Sequence, residues 1–133
     1  VKCFYIMVSE YFPKGHPKAG CPTDFIQKIQ SGDKLHTIRL NYHYWKDRID
    51  QINSGSAYLS LRHWSDKPYR SKQVEFKRLH KVGIERADRV LYMDWPRLAE
   101  NDGLEFAHFL AWFNHSIPEY SAIIHFTDFR YFS

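Results

Sequence analysis

The residues best suited to chemistry form one short run, Gly32-Asp33-Lys34-Leu35-His36-Thr37-Ile38-Arg39. If Thr37 to Arg39 is extended, Thr37 and Arg39 point to the same side, about 6–7 Å apart. Lys34 lies in the turn leading in and can swing toward that side. A hydroxyl, an ammonium and a guanidinium around one point can hold an anion or polarise a carbonyl. The same pattern fits an ordinary exposed sheet edge, which is the reading that spacing alone favours. A second cluster interleaves basic and aromatic residues from Arg62 to Lys72. There a base could stack on Trp64 or Tyr69 while Lys67, Arg70 or Lys72 hold phosphate. The competing reading is that Trp64 closes the core and the charges are solvated. With Lys14-Gly15-His16-Pro17-Lys18, this turn could line one basic rim.

Other chemistries find no footing. The eight histidines are scattered and none has the His-x-x-x-His spacing of a helical metal site. Cys3 and Cys21 form no metal-binding pair, and Cys21 has no positioned base. No cofactor and no metal are expected. There is no P-loop and no Gly-x-Ser-x-Gly elbow. His36 precedes Thr37 on the same strand, so it should face the other way, packed or exposed rather than catalytic.

The whole chain sets the scale of these sites. Its 133 residues suit one domain, numbered 1–133, with 44% hydrophobic and 26% charged residues, as in ordinary globular proteins. A net charge of +4 gives mild attraction to polyanions, less than a DNA-coating protein carries. Aromatic content, 17%, is the departure. The longest apolar stretch, Cys3 to Val8, is too short to span a membrane or to serve as a signal peptide. The expectation is a reduced, cytoplasmic, single-domain protein with no membrane partner, its oligomeric state left open by the sequence.

The elements that would position these side chains read as follows. Cys3 to Val8 is a buried strand, apolar on both faces. Tyr11 to Pro22, rich in Pro and Gly, is a long loop. Thr23 caps a helix over Asp24 to Ser31, closed by Gly32. His36 to Leu40 is a strand, and Trp45, Arg48, Ile49 and Ile52 mark a helix over His43 to Ile52. Ala57 to Trp64 alternates as a half-buried strand. Ser71 to Leu79 and Val82 to Met93 supply two or three more. Trp95 to Glu100 is a short helix with Pro96 in its first turn. Asp102-Gly103-Leu104-Glu105 has the form of a capping box before a helix that buries Phe106, Phe109, Leu110 and Phe113. Ser121 to Thr127 is the last strand. Strands and helices do not alternate regularly, so an α+β fold, a small mixed barrel with peripheral helices, is expected rather than a parallel doubly wound sheet.

Gly32-x-Lys34-x-x-Thr37-x-Arg39, following a helix and opening a strand, resembles the Gly-x-Lys-x-x-Thr/Glu-x-Arg signature of the ASCH domains. The resemblance runs from about Phe25 to Phe129, and residues 1–24 add an N-terminal strand and loop. It implies a PUA-like mixed β-barrel and a role in binding RNA or a modified nucleoside. One branch of the family comprises small bacterial amidohydrolases of N4-acetylcytidine, whose catalytic set is a Lys and a Thr of this signature and a distant Glu. By position the resemblance implies Lys34 and Thr37 for the first two and Asp102 for the carboxylate, with Arg39 nearby. Asp is one methylene shorter than Glu, a withdrawal of more than about 1 Å. Asp102 is also the N-cap expected of the late helix, and Glu100 is the alternative carboxylate. Three functions follow: a binding module for RNA or a modified nucleoside, an amidohydrolase for a small acyl amide, or an interaction domain without a ligand.

Overall fold

The computed structural model describes residues 1–132. The fold is α+β, with two small sheets and several helices. In the first sheet β3 (Ala57–Trp64) is central, flanked by β1 (Lys2–Met7) in parallel and β4 (Gln73–Leu79) antiparallel. In the second, β6 (Ala122–His125) is central, between β2 (His36–Arg39) and β5 (Gly83–Arg86), both antiparallel to it. Among the described residues the two sheets are not joined by hydrogen bonds, so no closed barrel forms.

Central position decides which strand is buried. All four residues of β6 are inaccessible to solvent, as are Leu59, Ser60 and Leu61 of β3. β1 is an edge strand: Ile6 faces the core while Tyr5 stands half exposed under the Arg62 guanidinium. The expectation of a strand buried on both faces fails there, because an apolar run does not reveal which strand becomes an edge. The expected strand over Val82 to Met93 stops at Arg86, and two 3-10 turns, Ala87–Arg89 and Tyr92–Asp94, replace its second half. Ala87 and Val90 are the buried residues there.

Helix α1 (Phe25–Ser31) ends on Gly32 in the left-handed conformation, as its sequence predicts. Its start differs from expectation: Asp24 is the cap residue, and the Thr23 hydroxyl takes the Phe25 N–H at 3.2 Å while donating to Ser9 at 2.7 Å. Helix α2 (Tyr42–Asn53) buries Ile49 and Ile52 and is capped by the Asn41 side chain. Helix α3 (Trp95–Asn101) carries Pro96 in its first turn, and α4 (Phe106–Trp112) buries Phe109, with Phe106, Leu110 and Phe113 half-buried.

The long loop from Tyr11 to Pro22 is held by a bridge between its ends and by His16, which packs 4.6 Å from the Phe12 ring. The His16 Nδ1 accepts from the Lys18 N–H at 3.0 Å, so its Nε2–H is the donor to the His108 carbonyl at 2.9 Å. This ties the loop to α4 and fixes one wall of the groove described next.

Candidate functional site

Lys34 follows the α1 C-cap by two residues and is turned inward, 3% exposed. A buried ammonium needs partners. Its Nζ donates to the Asp102 carbonyl at 2.6 Å and to Asp102 Oδ1 at 3.1 Å, and lies 4.1 Å from the centre of the Phe25 ring. Burial lowers the Lys34 pKa, Asp102 offsets part of that, and Arg39 and Lys28 add to the lowering. Burial pushes the Asp102 carboxyl up, but the Lys34 charge and the His36 hydrogen bond outweigh it, and the net direction is down.

Asp102 is therefore not the N-cap of α4. It stands at the C-terminal end of α3, 5% exposed, and the cap position of α4 is Glu105. Gly103 explains the difference. It is left-handed, at φ +81°, which breaks the chain path that a capping box needs. A Cβ there would meet the Lys34 Cβ at 3.2 Å and the Lys28 Cδ at 3.4 Å. The bare backbone lets both lysine stems pack on it, and Lys28 Nζ donates to the Gly103 carbonyl at 2.8 Å. The alternative carboxylate, Glu100, is exposed on α3 and no longer competes.

Lys34, Thr37, Arg39 and Asp102 line one cavity of about 20 Å³, walled by Phe25 and Trp112. That is room for about one water. Thr37 is 6% exposed, and its hydroxyl has no hydrogen-bond partner among the described residues. Arg39 donates to the Met7 carbonyl at 2.7 Å, which holds its guanidinium across the gap between the two sheets.

Arg39, Val8 and Ser9 also line a larger groove of about 540 Å³, whose far wall is Trp64, Pro68 and Tyr69. The two sequence clusters thus meet at opposite ends of one depression. Tyr69 is 88% exposed and adopts φ +63°, a left-handed backbone that costs an aromatic residue about 1–2 kcal/mol. Its ring lies 5.3 Å from that of Trp64, tilted by 51°. Holding a base between two rings takes about 7 Å, so a base would stack on an outer face of the pair.

Not all of the expected binding residues gather there. Lys67, Arg70 and Lys72 are exposed on the turn, outside the groove lining, and none has a carboxylate partner among the described residues. The groove itself is mixed in charge, with Glu10 and Asp66 facing Lys14 and Arg39, and Glu10 is paired with His63.

His36 is where the sequence reading falls short. It is packed, 0% exposed, but it is not a bystander: Nδ1 reaches Asp102 Oδ1 at 3.1 Å and Nε2 reaches the Tyr131 hydroxyl at 2.6 Å. Alternation along β2 correctly separates it from Thr37. What it could not reveal is that Asp102, a residue distant in sequence, sits where both faces of the strand can reach it.

No family model matches the chain, and neither does any curated protein or solved structure, so its chemistry is read from this geometry.

Proposed function

We propose that the protein is an ASCH-type, PUA-like domain that binds a modified nucleoside and hydrolyses an amide on its exocyclic nitrogen. One observation carries the reading: a groove of nucleoside size, with exposed Tyr69 against half-buried Trp64 at one end, shares Arg39 with the small cavity of Lys34, Thr37 and Asp102 at the other. A base stacked on Trp64 or Tyr69 directs its substituent toward that cavity. The mixed charge of the lining favours a neutral nucleoside over a phosphate-rich strand in the groove itself.

The chemistry is acyl transfer. Lys34 acts as the neutral amine, a form that burial favours, its ammonium proton having gone to solvent while Asp102 stays ionised. It then accepts the Thr37 proton as the hydroxyl oxygen bonds to the acyl carbon. Arg39 stabilises the oxyanion. The carbon–nitrogen bond breaks and the leaving amine takes its proton from Lys34. Water then cleaves the threonyl ester, giving the free acid and restoring Thr37. In the variant of this scheme in which water attacks directly, Asp102 takes the proton.

RNA binding is the second reading, favoured by the unpaired cations of the turn. The enzymatic reading is tested by incubating the pure protein with N4-acetylcytidine and measuring cytidine. Turnover that disappears in Lys34→Met supports it. No cytidine above the Lys34→Met background rejects it.

A further inference from the structure

We infer that His36 is a positioning residue of the site, its tautomer fixed between the Asp102 carboxylate on Nδ1 and the Tyr131 hydroxyl on Nε2. The inference rests on the hydrolytic reading above.

Donors and acceptors around the ring fix where its proton sits. Tyr131 has a single hydroxyl proton. The Asn101 side-chain amide donates to the Tyr131 oxygen at 3.0 Å, so the tyrosine proton is left for His36 Nε2, 2.6 Å away. Nε2 is then the acceptor of the ring. The proton of the neutral imidazole must sit on Nδ1, where it faces Asp102 Oδ1 at 3.1 Å. With no exposure to solvent, the ring has no water to turn to.

Tyr131 is itself fixed. Its backbone N–H donates to Glu85 Oε1 and the Phe132 N–H donates to Oε2, each at 2.8 Å. A line of hydrogen bonds therefore runs from Glu85 on β5 through Tyr131 and His36 to Asp102 and Lys34. The same Asp102 oxygen is gripped from both sides, by Lys34 in the cavity and by His36 in the core. When Lys34 is neutral, the ammonium no longer holds the carboxyl, and His36 is what keeps it in place. A neutral donor does this without adding a positive charge that would push Lys34 further down.

A merely space-filling His36 would make a different prediction, and the titration of Lys34 separates the two. The full chain is labelled with ¹³C-lysine, and the Lys34 Cε signal is assigned by its absence in Lys34→Met. Lys28 and Arg39, the other charges facing Lys34, are left unchanged throughout. In His36→Leu the Asp102 carboxylate loses its neutral donor and becomes more basic. Lys34 should then titrate higher by about half a pH unit or more. In His36→Asn an amide N–H stands where Nδ1 was, and Lys34 should titrate as in the wild type. Tyr131→Phe, which retains the ring of His36, covers the case in which His36→Leu does not fold. There His36 Nε2 should lose its donor and its ¹⁵N resonance should move, while Nδ1 keeps the proton that faces the Asp102 carboxylate.

With N4-acetylcytidine, Tyr131→Phe should lower kcat about tenfold and leave KM unchanged. A wild-type protein that does not turn over this substrate rejects the hydrolytic reading, while the two spectra still decide the role of His36. An unmoved Lys34 in a folded His36→Leu, or a wild-type His36 protonated on Nε2, overturns the inference.

Discussion

The two ends of the groove are built on opposite rules. At the Lys34 end the Lys34 ammonium, both His36 nitrogens and the Asp102 carboxylate are buried and bonded within the protein. At the Tyr69 end Lys67, Arg70 and Lys72 have no carboxylate partner among the described residues, the Tyr69 ring is in solvent, and the backbone beneath it is left-handed. Buried charge is stable only while every partner stays in place, so chemistry and stability are coupled at the first end. A strained, exposed aromatic adds nothing to the core, so at the second end they are separable.

The largest effect should come from breaking the buried end. Lys34→Met keeps most of the stem but strands the Asp102 charge. Loss of one partner of a buried pair costs about 3–5 kcal/mol, and urea unfolding should register a loss in that range along with the loss of turnover. Adding Asp102→Asn to Lys34→Met should recover a large part of it. An unchanged unfolding midpoint in the single variant would mean that the pair does not hold this end together.

The buried end should also fail in acid, through His125. This ring pairs with Glu85 at 2.7 Å, lies 5.5 Å from His36, and has a buried Nδ1 without a partner among the described residues. Burial lowers its pKa from 6.5 to about 4. As pH falls through that window the unfolded chain binds a proton that the native one refuses. Stability is therefore present above pH 6.5 and lost toward pH 4, by up to about 3 kcal/mol. His125→Gln, which can still meet Glu85, should flatten this part of the stability profile. The same slope in variant and wild type would assign the acid loss to other groups.

These two ends were legible in the sequence to different degrees. Lys34, Thr37 and Arg39 are found together because a short motif on one turn and one strand carries its own geometry. Helix α2 and strand β3 are likewise local, set by periodicity and by the Asn53-Ser54-Gly55 stop. Asp102 was half legible. Its type and position suggested both a carboxylate and a cap, and only the left-handed Gly103 decides against the cap. His36, Tyr131 and Glu85 could not be found, since nothing in 36, 85 or 131 refers to the others until the β2–β6–β5 sheet brings them together. The barrel was less legible than the α+β class for a related reason: strand pattern predicts strands, not the bonds between the two sheets.

A smaller effect is expected from Tyr69→Gly, which separates binding from stability. Glycine accepts φ +63° without strain, so the variant should be as stable as the wild type or more stable by about 1 kcal/mol. It should nonetheless bind N4-acetylcytidine or cytidine more weakly, by about 1–3 kcal/mol if a base stacks on the ring. Calorimetric titration and thermal unfolding on the same sample check both signs. Weaker binding together with lower stability would break the contrast between the two ends.

The smallest effect should come from the cations beside the groove. Arg70→Glu with Lys72→Glu reverses two charges that line neither cavity. If the ligand is a nucleoside, affinity should change by less than about threefold, because an exposed charge away from the bound molecule acts only through screened solvent. A single-stranded RNA would behave otherwise. Every phosphate that the protein no longer neutralises reduces the dependence of log affinity on log salt by about 0.7, so the loss of both cations would be plain in a salt series. Measuring cytidine and a short RNA in parallel therefore asks where the ligand ends. A flat response for both confines recognition to the groove between Arg39 and Tyr69. A steep response for RNA alone extends it over the turn, and the unpaired Arg70 and Lys72 become the part of the surface that reads the strand around the modified base.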